Sequence, residues 1–481
     1  MKVHLVFAPS LLYSPYEVLG ENMWPPMGIL YLSSYLRSKM ENVEIKITDG
    51  CKIGYKNTIE EIKKFNPDIV GISFYTTLAH GASKLAKEVK RTFPSSIVVM
   101  GGPHASALPH DTLNTSGADI VVVGEGEETF YRIVKSISEG KNLTELAKLP
   151  GICINIDGKI YQNAPDKFIT PLDSIPFPAW DLINVGDYKG WYLSKQRPEA
   201  TMFFSRGCPY NCTFCSNHVW KSSTPIVRLR SPENIVNEME YLKNNFSVKE
   251  VFDNSDELNC NLEHALKICR EIKRRDLGIT WKTQLRVTPF TEEFAKELAG
   301  SGCWYVHLGI ESGNQKTLNG INKHIDLKDV ELTCKLLKKY EIKVMALFML
   351  FNVWEENGNL AYEDMEITAN TLNFAWKLVK NNLVDYIGWS ITTPYPGSRL
   401  YDIALRHNLL NPAFRDNWES WQKEGLFIMN LPGISKIKRN RIKLKGEFLR
   451  IMCLLRRKYF KLKDLPFLIK RAFHIFKYAA K

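Results

Sequence analysis

The chain has 481 residues, which is too many for one ordinary hydrophobic core, so we expect two or three domains. Hydrophobic residues make up 44% of the chain and charged residues 24%, a composition that excludes wholesale disorder. The net charge of +12 is concentrated in residues 436–481, where sixteen Lys and Arg against two acidic residues leave the remainder at −2. The basicity therefore concerns a partner of that segment and not the active site.

The opening residues predict a buried strand and not an export signal. Their apolar run ends at Ala8-Pro9 and is too short for the core of a signal peptide. No run of about eighteen uncharged apolar residues follows, so no membrane-spanning helix is expected. We therefore expect a cytoplasmic protein in which the ten Cys are thiols or metal ligands and not disulfides.

Residues 1–145 alternate short apolar strands with helical patterns such as Ala82–Phe93. This alternation predicts an α/β domain with a doubly wound, Rossmann-like parallel sheet. Loops at 76–77, 101–104 and 124–127 follow three of the strands, at the edge where open α/β sheets bind ligands. The strand candidates are Val3–Ala8, Val43–Thr48, Ile69–Phe74, Ile97–Met100 and Ile120–Val123.

Residues 146–198 predict a linker that contains a hairpin, because Asp157-Gly158 is a typical hairpin turn and the stretch 175–180 is too Pro-rich for a sheet interior. In residues 199–402 six strand–helix units predict a partial (β/α)6 barrel, with its site at the carboxyl ends of the strands. Residues 403–481 predict a helical, basic extension. The barrel strand candidates are Thr201–Phe204, Glu250–Phe252, Ile279–Thr283, Tyr305–Gly309, Lys343–Leu350 and Ile387–Ile391.

Three cysteines on one loop, Cys208, Cys212 and Cys215, directly follow the first predicted barrel strand. Three thiolates can hold three irons of a [4Fe–4S] cluster and leave the fourth iron open. An open iron can bind the amino and carboxylate groups of S-adenosylmethionine (SAM), and electron transfer then cleaves SAM to a 5′-deoxyadenosyl radical. Structural zinc is the alternative, but it needs four ligands, and the Cys beyond this loop are scattered singly.

The CxxxCxxC spacing, with an aromatic residue before the third Cys, resembles the signature of the radical SAM superfamily. Six further stretches resemble the members that carry an N-terminal cobalamin-binding domain, and together they span about residues 1–401. They are PPMGILYL at 25–32, GGPH at 101–104, VGEGE at 123–127, IPFP at 175–178, GIESG at 309–313 and PYPGS at 394–398. This group contains methylases of unactivated carbon and phosphorus, the anaerobic Mg-protoporphyrin monomethyl ester cyclase and hopanoid-modifying enzymes.

The resemblance implies that SAM binds at the ends of barrel strands two to four. Phe214 is expected along the adenine ring, and Arg286 is a candidate partner of the SAM carboxylate. The segment 253–256 lies where family members contact the SAM amino group. Each of the expected SAM-binding residues has a purely structural role at a strand end as its alternative. The expected SAM-binding residues are Phe214, Asp253, Asn254, Gln284, Arg286, Glu311 and Ser312.

The resemblance also places cobalamin on the first domain, where its nucleotide tail needs a close approach of backbone. The candidate cobalamin-binding residues are Ser73, Tyr75, Thr76, Gly101, Gly102 and His104. Two departures from the family pattern matter. The usual Asp-x-His-x-x-Gly loop is missing, because residues 10–21 take its place and offer no His to cobalt. Residues 351–358 replace the usual Gly-Leu-Pro-Gly-Glu-like turn after barrel strand five, which leaves the adenine contacts there unassigned.

The leading function that the resemblance implies is methyl transfer to an unreactive carbon. A radical oxidoreductase or cyclase acting on a tetrapyrrole or lipid is the second hypothesis. A non-enzymatic protein that carries a cluster and binds corrinoid or nucleic acid is the third, and only the basic tail favours it. The expected partners are a small-molecule, lipid or tetrapyrrole substrate and an electron donor such as flavodoxin or ferredoxin.

Apolar residues recur at helical spacing in the basic segment 436–481, so one stripe of a helix is predicted to be buried. One interpretation is a helix packed on the barrel with a solvated basic face. The other is an interfacial helix at the anionic inner face of the membrane. Nucleic acid ranks last, because no binding module is recognisable. The apolar residues are Phe448, Ile451, Met452, Leu455, Tyr459 and Phe460.

Overall fold

The computed structural model describes residues 1–11, 24–188, 194–421 and 427–456. Within these ranges no helix is both long enough and apolar enough to cross a bilayer. The described chain forms two larger parallel sheets, each covered by helices, and a C-terminal helix that packs on the second sheet.

The first sheet has seven strands in the order β2-β1-β3-β4-β5-β6-β7. The first five strands pair in parallel, and the last two add an antiparallel hairpin at one edge. This hairpin, which the sequence placed in a linker, therefore extends the first sheet. The strands are β1 Lys2–Phe7, β2 Glu44–Asp49, β3 Ile69–Ser73, β4 Ile97–Gly101, β5 Ile120–Val122, β6 Ile152–Ile156 and β7 Lys159–Gln162.

Helices cover both faces of this sheet, because successive strand residues point to opposite sides and both sides are apolar. Val70 and Ile72 contribute to one buried cluster, whereas Ile69 contributes to the other. The parallel order 2-1-3-4-5 confirms the predicted doubly wound fold and puts its ligand-binding switch point between β1 and β3. The helices are α1 Met27–Lys39, α2 Gly50–Phe65, α3 Ala79–Thr92, α4 Pro103–Ala107, α5 Pro109–Ser116, α6 Glu127–Ser138 and α7 Leu143–Leu146.

The second large sheet has six strands, all parallel, and each strand lies beside its predecessor along the chain. All six predicted barrel strands are present, with ends that shift by a few residues. Two short antiparallel pairs, β9–β10 and β15–β16, lie outside this sheet. The strands are β8 Glu199–Met202, β9 Ser205–Arg206, β10 Arg228–Leu229, β11 Glu250–Asp253, β12 Thr280–Arg286, β13 Cys303–Glu311, β14 Lys343–Leu350, β15 Val353–Glu356, β16 Asn359–Tyr362 and β17 Tyr386–Ile391.

Amphipathic helices cover the outside of the six-stranded sheet. α9, for example, buries Ala265, Ile268, Cys269 and Ile272 along one stripe, at the spacing that a helix needs to present a single apolar face. The helices are α8 Pro232–Phe246, α9 Leu262–Arg275, α10 Glu292–Gly300, α11 Gln315–Gly320, α12 Leu327–Lys339, α13 Met365–Lys380, α14 Arg399–Arg406 and α15 Lys436–Arg456.

The two sheets are joined by a network of four charged side chains, which we call the interdomain ion network: Glu125, Glu127, Arg206 and Arg228. Glu125 accepts two hydrogen bonds from Arg228, one of them at 2.9 Å, and lies 3.3 Å from Arg206. Arg206 also pairs with Glu127 at 2.7 Å. Burial alone would raise the pKa of Glu125, but the two arginines lower it below its usual range. Glu125 lies in the loop after β5 and Glu127 is the first residue of α6, whereas both arginines belong to the β9–β10 pair.

We predict that Arg228→Met lowers the free energy of unfolding by about 3 kcal/mol, because it leaves a largely buried carboxylate with one partner fewer. Glu125 has a lowered pKa in the folded protein, so its contribution is present above the ordinary carboxylate pKa and is lost as the pH falls through the lowered value. The difference between wild type and variant, measured by urea unfolding, should therefore shrink below about pH 4. Arg91→Met is the control, since Arg91 pairs with Glu88 at an exposed site and should change stability little. An equal effect of both substitutions would contradict the prediction.

Candidate functional site

The cysteine loop begins at Gly207, immediately after β9. Gly207 has a φ of +85°, and an added Cβ would lie 1.9 Å from the carbonyl oxygen of Ile226. Only glycine combines this backbone conformation with so close an approach of another backbone segment. The Gly207 amide donates to Asp256 Oδ2 at 2.8 Å, which ties the start of the loop to the end of β11.

Two further hydrogen bonds hold the middle of the loop. The Thr213 amide donates to the Ile321 carbonyl at 2.9 Å, and the Thr213 carbonyl accepts from the Leu400 amide at the same distance. The loop is therefore fixed to the end of α11 and to the first turn of α14, which are distant in sequence.

The three thiols of the loop are free, and none is bound in a disulfide. Cys212 is buried, whereas Cys208 and Cys215 are partly exposed. Burial raises the pKa of the Cys208 thiol to about 12 and that of Cys215 to about 11, so both are protonated until a metal displaces the proton. Among the described residues no three His, Cys, Asp or Glu side chains are gathered as ligands of a single metal ion. A cubane cluster does not need such a gathering, because each thiolate binds a different iron.

Two cations lie beside the thiols. Arg286 Nη1 is 3.9 Å from Cys212 Sγ, and its guanidinium lies 3.8 Å from the ring centroid of Tyr210. Lys323, which is nearly fully buried, interacts electrostatically with Cys212 and pairs with Glu311 at 2.9 Å. Three thiolates and a cluster carry negative charge, so buried cations at this place favour their binding. The residues present therefore fit a [4Fe–4S] cluster.

Several of the predicted SAM-binding residues come together next to this loop. Gln284 donates to Asn254 Oδ1 at 2.6 Å, which joins the ends of β11 and β12. Glu311 has a φ of +70°, at a shift of register between β13 and β14, and this bulge turns its side chain across Gly309 towards Lys323. Phe214 is partly buried against the barrel core. Asn254, Gln284, Arg286 and Glu311 are thus polar side chains at the carboxyl ends of three adjacent strands.

Two other predicted SAM-binding residues, Asp253 and Ser312, are buried and hydrogen-bonded within the protein. Asp253 is completely buried, and its two oxygens accept hydrogen bonds from Ser255 and Thr283, at 2.5 and 2.8 Å. Ser312 is also completely buried and donates to Glu363 at 2.8 Å. Both side chains therefore connect strands to neighbouring segments within the protein. The sequence shows that these residues end strands, but not on which side of the strand each side chain lies.

Sequence reasoning missed Tyr210 and Lys323. Tyr210 lies within the cysteine loop, so its position there was a usable signal. Lys323 follows α11 outside any motif, and no local pattern identifies it as a partner of Glu311.

The predicted cobalamin-binding residues lie on the loops after β3 and β4, next to the switch point between β1 and β3. Tyr75 is 56% exposed, and its ring lies 5.6 Å from that of Phe7 at the end of β1. Ser73 is partly buried beside it. An exposed aromatic face at a switch point suits a large planar ligand, so this edge of the sheet fits a corrinoid.

The other candidate cobalamin-binding residues lie against other parts of the protein. Gly102 has a φ of +103°, and an added Cβ would lie 2.7 Å from the Phe74 carbonyl oxygen, so protein backbone already occupies the space beside it. An added Cβ at Gly101 would meet only ordinary contacts. His104 is 2% exposed and lies 3.2 Å from the buried Thr76 hydroxyl, and burial lowers its pKa to about 4. The structure therefore gives His104 and Thr76 internal partners and does not present them to a ligand.

The segment after β14, where the family pattern is missing, is occupied by a hairpin. Val353–Glu356 pairs with Asn359–Tyr362, and the preceding Asn352 donates its amide to the buried Glu363 at 3.1 Å. The residues that depart from the family pattern thus form a β-hairpin, and the adenine contacts at this place stay unassigned.

A doubly wound domain joined to a six-stranded barrel sheet that carries three cysteines after its first strand defines the class of corrinoid-associated radical SAM proteins. The comparisons agree with this class. Residues 20–134 match the family model described as the B12 binding domain, and residues 202–357 match that of the radical SAM superfamily. An uncharacterized methyltransferase of Pyrococcus horikoshii is 33% identical over 429 residues, which cover 88% of this chain and 86% of the relative.

Two further similarities extend the comparison. The anaerobic magnesium-protoporphyrin IX monomethyl ester cyclase of Rubrivivax gelatinosus is 28% identical over 391 residues, which cover 80% of this chain and 67% of the cyclase. The solved structure of the cobalamin-dependent SAM radical enzyme OxsB has a TM-score of 0.72 at 16% identity, over 98% of this chain and 71% of OxsB, and it shows the shared fold. The chain belongs to the cobalamin-binding radical SAM family. It is a radical SAM enzyme whose cofactors are a [4Fe–4S] cluster, SAM and cobalamin.

We predict that Gly207→Ala loses most of its cluster, because the added methyl group collides with the Ile226 carbonyl and displaces the cysteine loop. The measurement is iron and sulfide content after anaerobic reconstitution, with circular dichroism as a check of folding. Gly278→Ala is the matched control, since Gly278 also has a positive φ, +66°, but an added Cβ there meets nothing within 4 Å. Equal cluster content in the two variants would show that the close approach at Gly207 is not what positions the loop.

Proposed function

We propose that this enzyme transfers a methyl group from SAM, by way of cobalamin, to an unactivated carbon of a small molecule. The observation that carries the proposal is the placement of the cysteine loop. It lies at the carboxyl ends of the barrel strands and is joined through the interdomain ion network to the loop after β5 of the cobalamin-binding domain. The relative that is 33% identical is described as a methyltransferase, which supports the same reaction.

We assign Cys208, Cys212 and Cys215 as the cluster ligands. A cluster held there supplies the electron that cleaves SAM and generates a radical able to abstract hydrogen, and cobalamin supplies the methyl carrier. Arg286 and Lys323 offset the negative charge of the bound thiolates. Arg286 is held in place by Tyr210, against which its guanidinium stacks, and this pre-organisation suits a cation that must face a carboxylate.

The remaining polar surface suits the other parts of SAM. The Asn254 and Gln284 amides have donors and acceptors for its amino-acid portion, and Glu311 can accept from ribose hydroxyls while Lys323 holds its carboxylate in position. Phe214 offers an aromatic face for adenine. On the cobalamin-binding domain, Tyr75 and Ser73 are the candidates that the structure leaves accessible for corrinoid contact.

A second candidate function is a radical oxidoreductase or cyclase acting on a tetrapyrrole or lipid. The cyclase relative, which is 28% identical over 80% of this chain, favours it. The two functions share the cluster and SAM and differ in whether the methyl group of SAM reaches the product.

The proposed partners follow from the chemistry. A cluster that must be reduced needs a small electron-transfer protein, such as flavodoxin or ferredoxin. We also propose that the basic segment 436–481 holds the enzyme at the anionic inner face of a membrane, which would bring it to a lipid or tetrapyrrole substrate.

We predict that Cys208→Ala, Cys212→Ala and Cys215→Ala each abolish formation of 5′-deoxyadenosine from SAM, because each removes one ligand of the cluster. The assay is anaerobic turnover with dithionite, followed by chromatography of the nucleoside products. Cys334→Ala is the control: Cys334 is a completely buried thiol on α12, away from the loop, and the variant should keep its activity. Wild-type cleavage by any of the three loop variants would overturn the assignment of the ligands.

The methyl-transfer proposal predicts that SAM labelled in its methyl group transfers the label to protein-bound corrinoid. The protein is reconstituted with iron, sulfide and hydroxocobalamin, desalted and reduced, so the assay needs no knowledge of the final substrate. Heat-inactivated protein with the same corrinoid is the control. Retained corrinoid that never acquires label would contradict methyl transfer and favour the cyclase-type function.

A further inference from the structure

Helix α15 has two apolar faces, and only one of them is packed. The packed face contains Ile442, Leu449 and Cys453, which are at least 95% buried. It lies against α13 and β17. Gly446 permits this close approach, since an added Cβ would lie 2.6 Å from the Trp389 ring.

A charged pair fixes the same face. Arg450 pairs with Glu447 at 2.8 Å, and its guanidinium lies 4.4 Å from the centroid of the Trp389 ring. The packed interpretation of this segment is thus confirmed for 436–456, but two residues of the stripe that was predicted to be buried lie on the outer side of the helix. Phe448 is 60% exposed and Ile451 is 36% exposed, whereas Met452 is partly buried. Leu455, Tyr459 and Phe460 lie outside the residues whose side chains are described.

The second apolar face is a stripe on the outside of the helix, which we call the exposed stripe: Ile437, Leu444, Phe448 and Ile451. Their spacings of seven, four and three residues put them on one side of the helix. Ten large hydrophobic side chains are exposed in the described part of the chain, and four of them are on this one helix. A surface helix normally buries one apolar face and turns a polar face to solvent, so a second apolar stripe indicates a contact.

The charges around the exposed stripe identify the kind of contact. Lys438, Arg441 and Lys445 are exposed along one margin of the stripe, and the acidic residue of α15, Glu447, is buried against Arg450. Residues 457–481 continue with eight Lys and Arg against one Asp. An apolar stripe with a basic margin is complementary to an anionic lipid surface, where the side chains enter the interface and the cations meet the headgroups.

We infer that the exposed stripe of α15 inserts into the interface of an anionic bilayer and holds the barrel against it. The inference rests on the proposed attachment of segment 436–481 to a membrane and names the surface that makes the contact. Because the packed face fixes α15 to β17, docking of the stripe orients the whole barrel relative to the membrane plane.

The test is sedimentation of the full chain with phosphatidylglycerol vesicles, with phosphatidylcholine vesicles for comparison. The double variant Leu444→Asp/Phe448→Asp should weaken binding by about tenfold or more, because two inserted apolar groups become charged. The matched control is Leu332→Asp/Leu405→Asp, which adds the same charge at two exposed leucines on α12 and α14. It should bind nearly as wild type does, and all forms should still produce 5′-deoxyadenosine.

A second measurement does not depend on a loss of binding. Phe448→Trp should add a fluorescence signal that is quenched by lipids brominated in their acyl chains, beyond the quenching of the wild-type tryptophans. Absence of added quenching in vesicle-bound protein would place the stripe outside the lipid and overturn the inference.

The remaining outcomes separate the inference from the proposal on which it rests. If both double variants bind as wild type does, the charge of the segment suffices, and the exposed stripe is not the docking surface. If wild type fails to bind at low salt, attachment itself is wrong, while the SAM chemistry stands. A dimer of wild type that Leu444→Asp/Phe448→Asp dissociates, or stronger binding after removal of 457–481, would show that a second copy or the chain's own end covers the stripe.

Discussion

The interdomain ion network is the interaction on which the arrangement of the catalytic parts depends. Arg206 pairs with Glu127 and Glu125 of the first domain, and the next two residues along the chain are Gly207 and Cys208. The start of the cysteine loop is therefore held on one side by the cobalamin-binding domain and on the other by the Ile226 backbone. Cofactors on two domains can react only when the domains are held in a fixed arrangement, and this network ties the start of the cysteine loop directly to the cobalamin-binding domain.

The network also explains how charges can be buried between the domains. Arg228 makes a two-pronged contact with Glu125 and lies 4.2 Å from the ring centroid of Phe168, and Arg206 lies 5.0 Å from that of Tyr31. Planar guanidinium groups meet carboxylates and aromatic faces in defined orientations, whereas an apolar interface of the same area would permit sliding. We therefore interpret the network as one that fixes the relative position of the two domains more than it stabilises the fold. Buried ion pairs gain little net free energy of folding, because desolvation of the charges offsets their attraction.

The fold and the cysteine loop could be predicted because their signals are local. Continuous apolar runs identify parallel strands buried on both faces, and the spacing of Cys208, Cys212 and Cys215 is contained in eight residues. The direction of polar side chains at strand ends is not local. Asp253 turns inward to Ser255 and Thr283. Glu311 turns towards Lys323, because it lies at a β-bulge that the sequence pattern does not predict. Both carboxylates end strands in the sequence, and they differ in the partners that the fold brings to them.

The contacts of His104 also could not be predicted from the local sequence, because one of its partners lies more than three hundred residues away in the chain. Its ring lies 5.0 Å from the ring of Trp418, and Glu419 accepts a hydrogen bond from the amide of Leu11 at 3.2 Å. A segment that follows the barrel thus returns to the edge of the first domain that contains the ends of β1 and β3, more than three hundred residues away in sequence. Trp418 and the Thr76 hydroxyl lie on two sides of the imidazole, so this histidine joins the C-terminal segment to the first domain. The accessible part of that edge is left to Tyr75, whose exposed ring is the physical feature that a planar ligand can use.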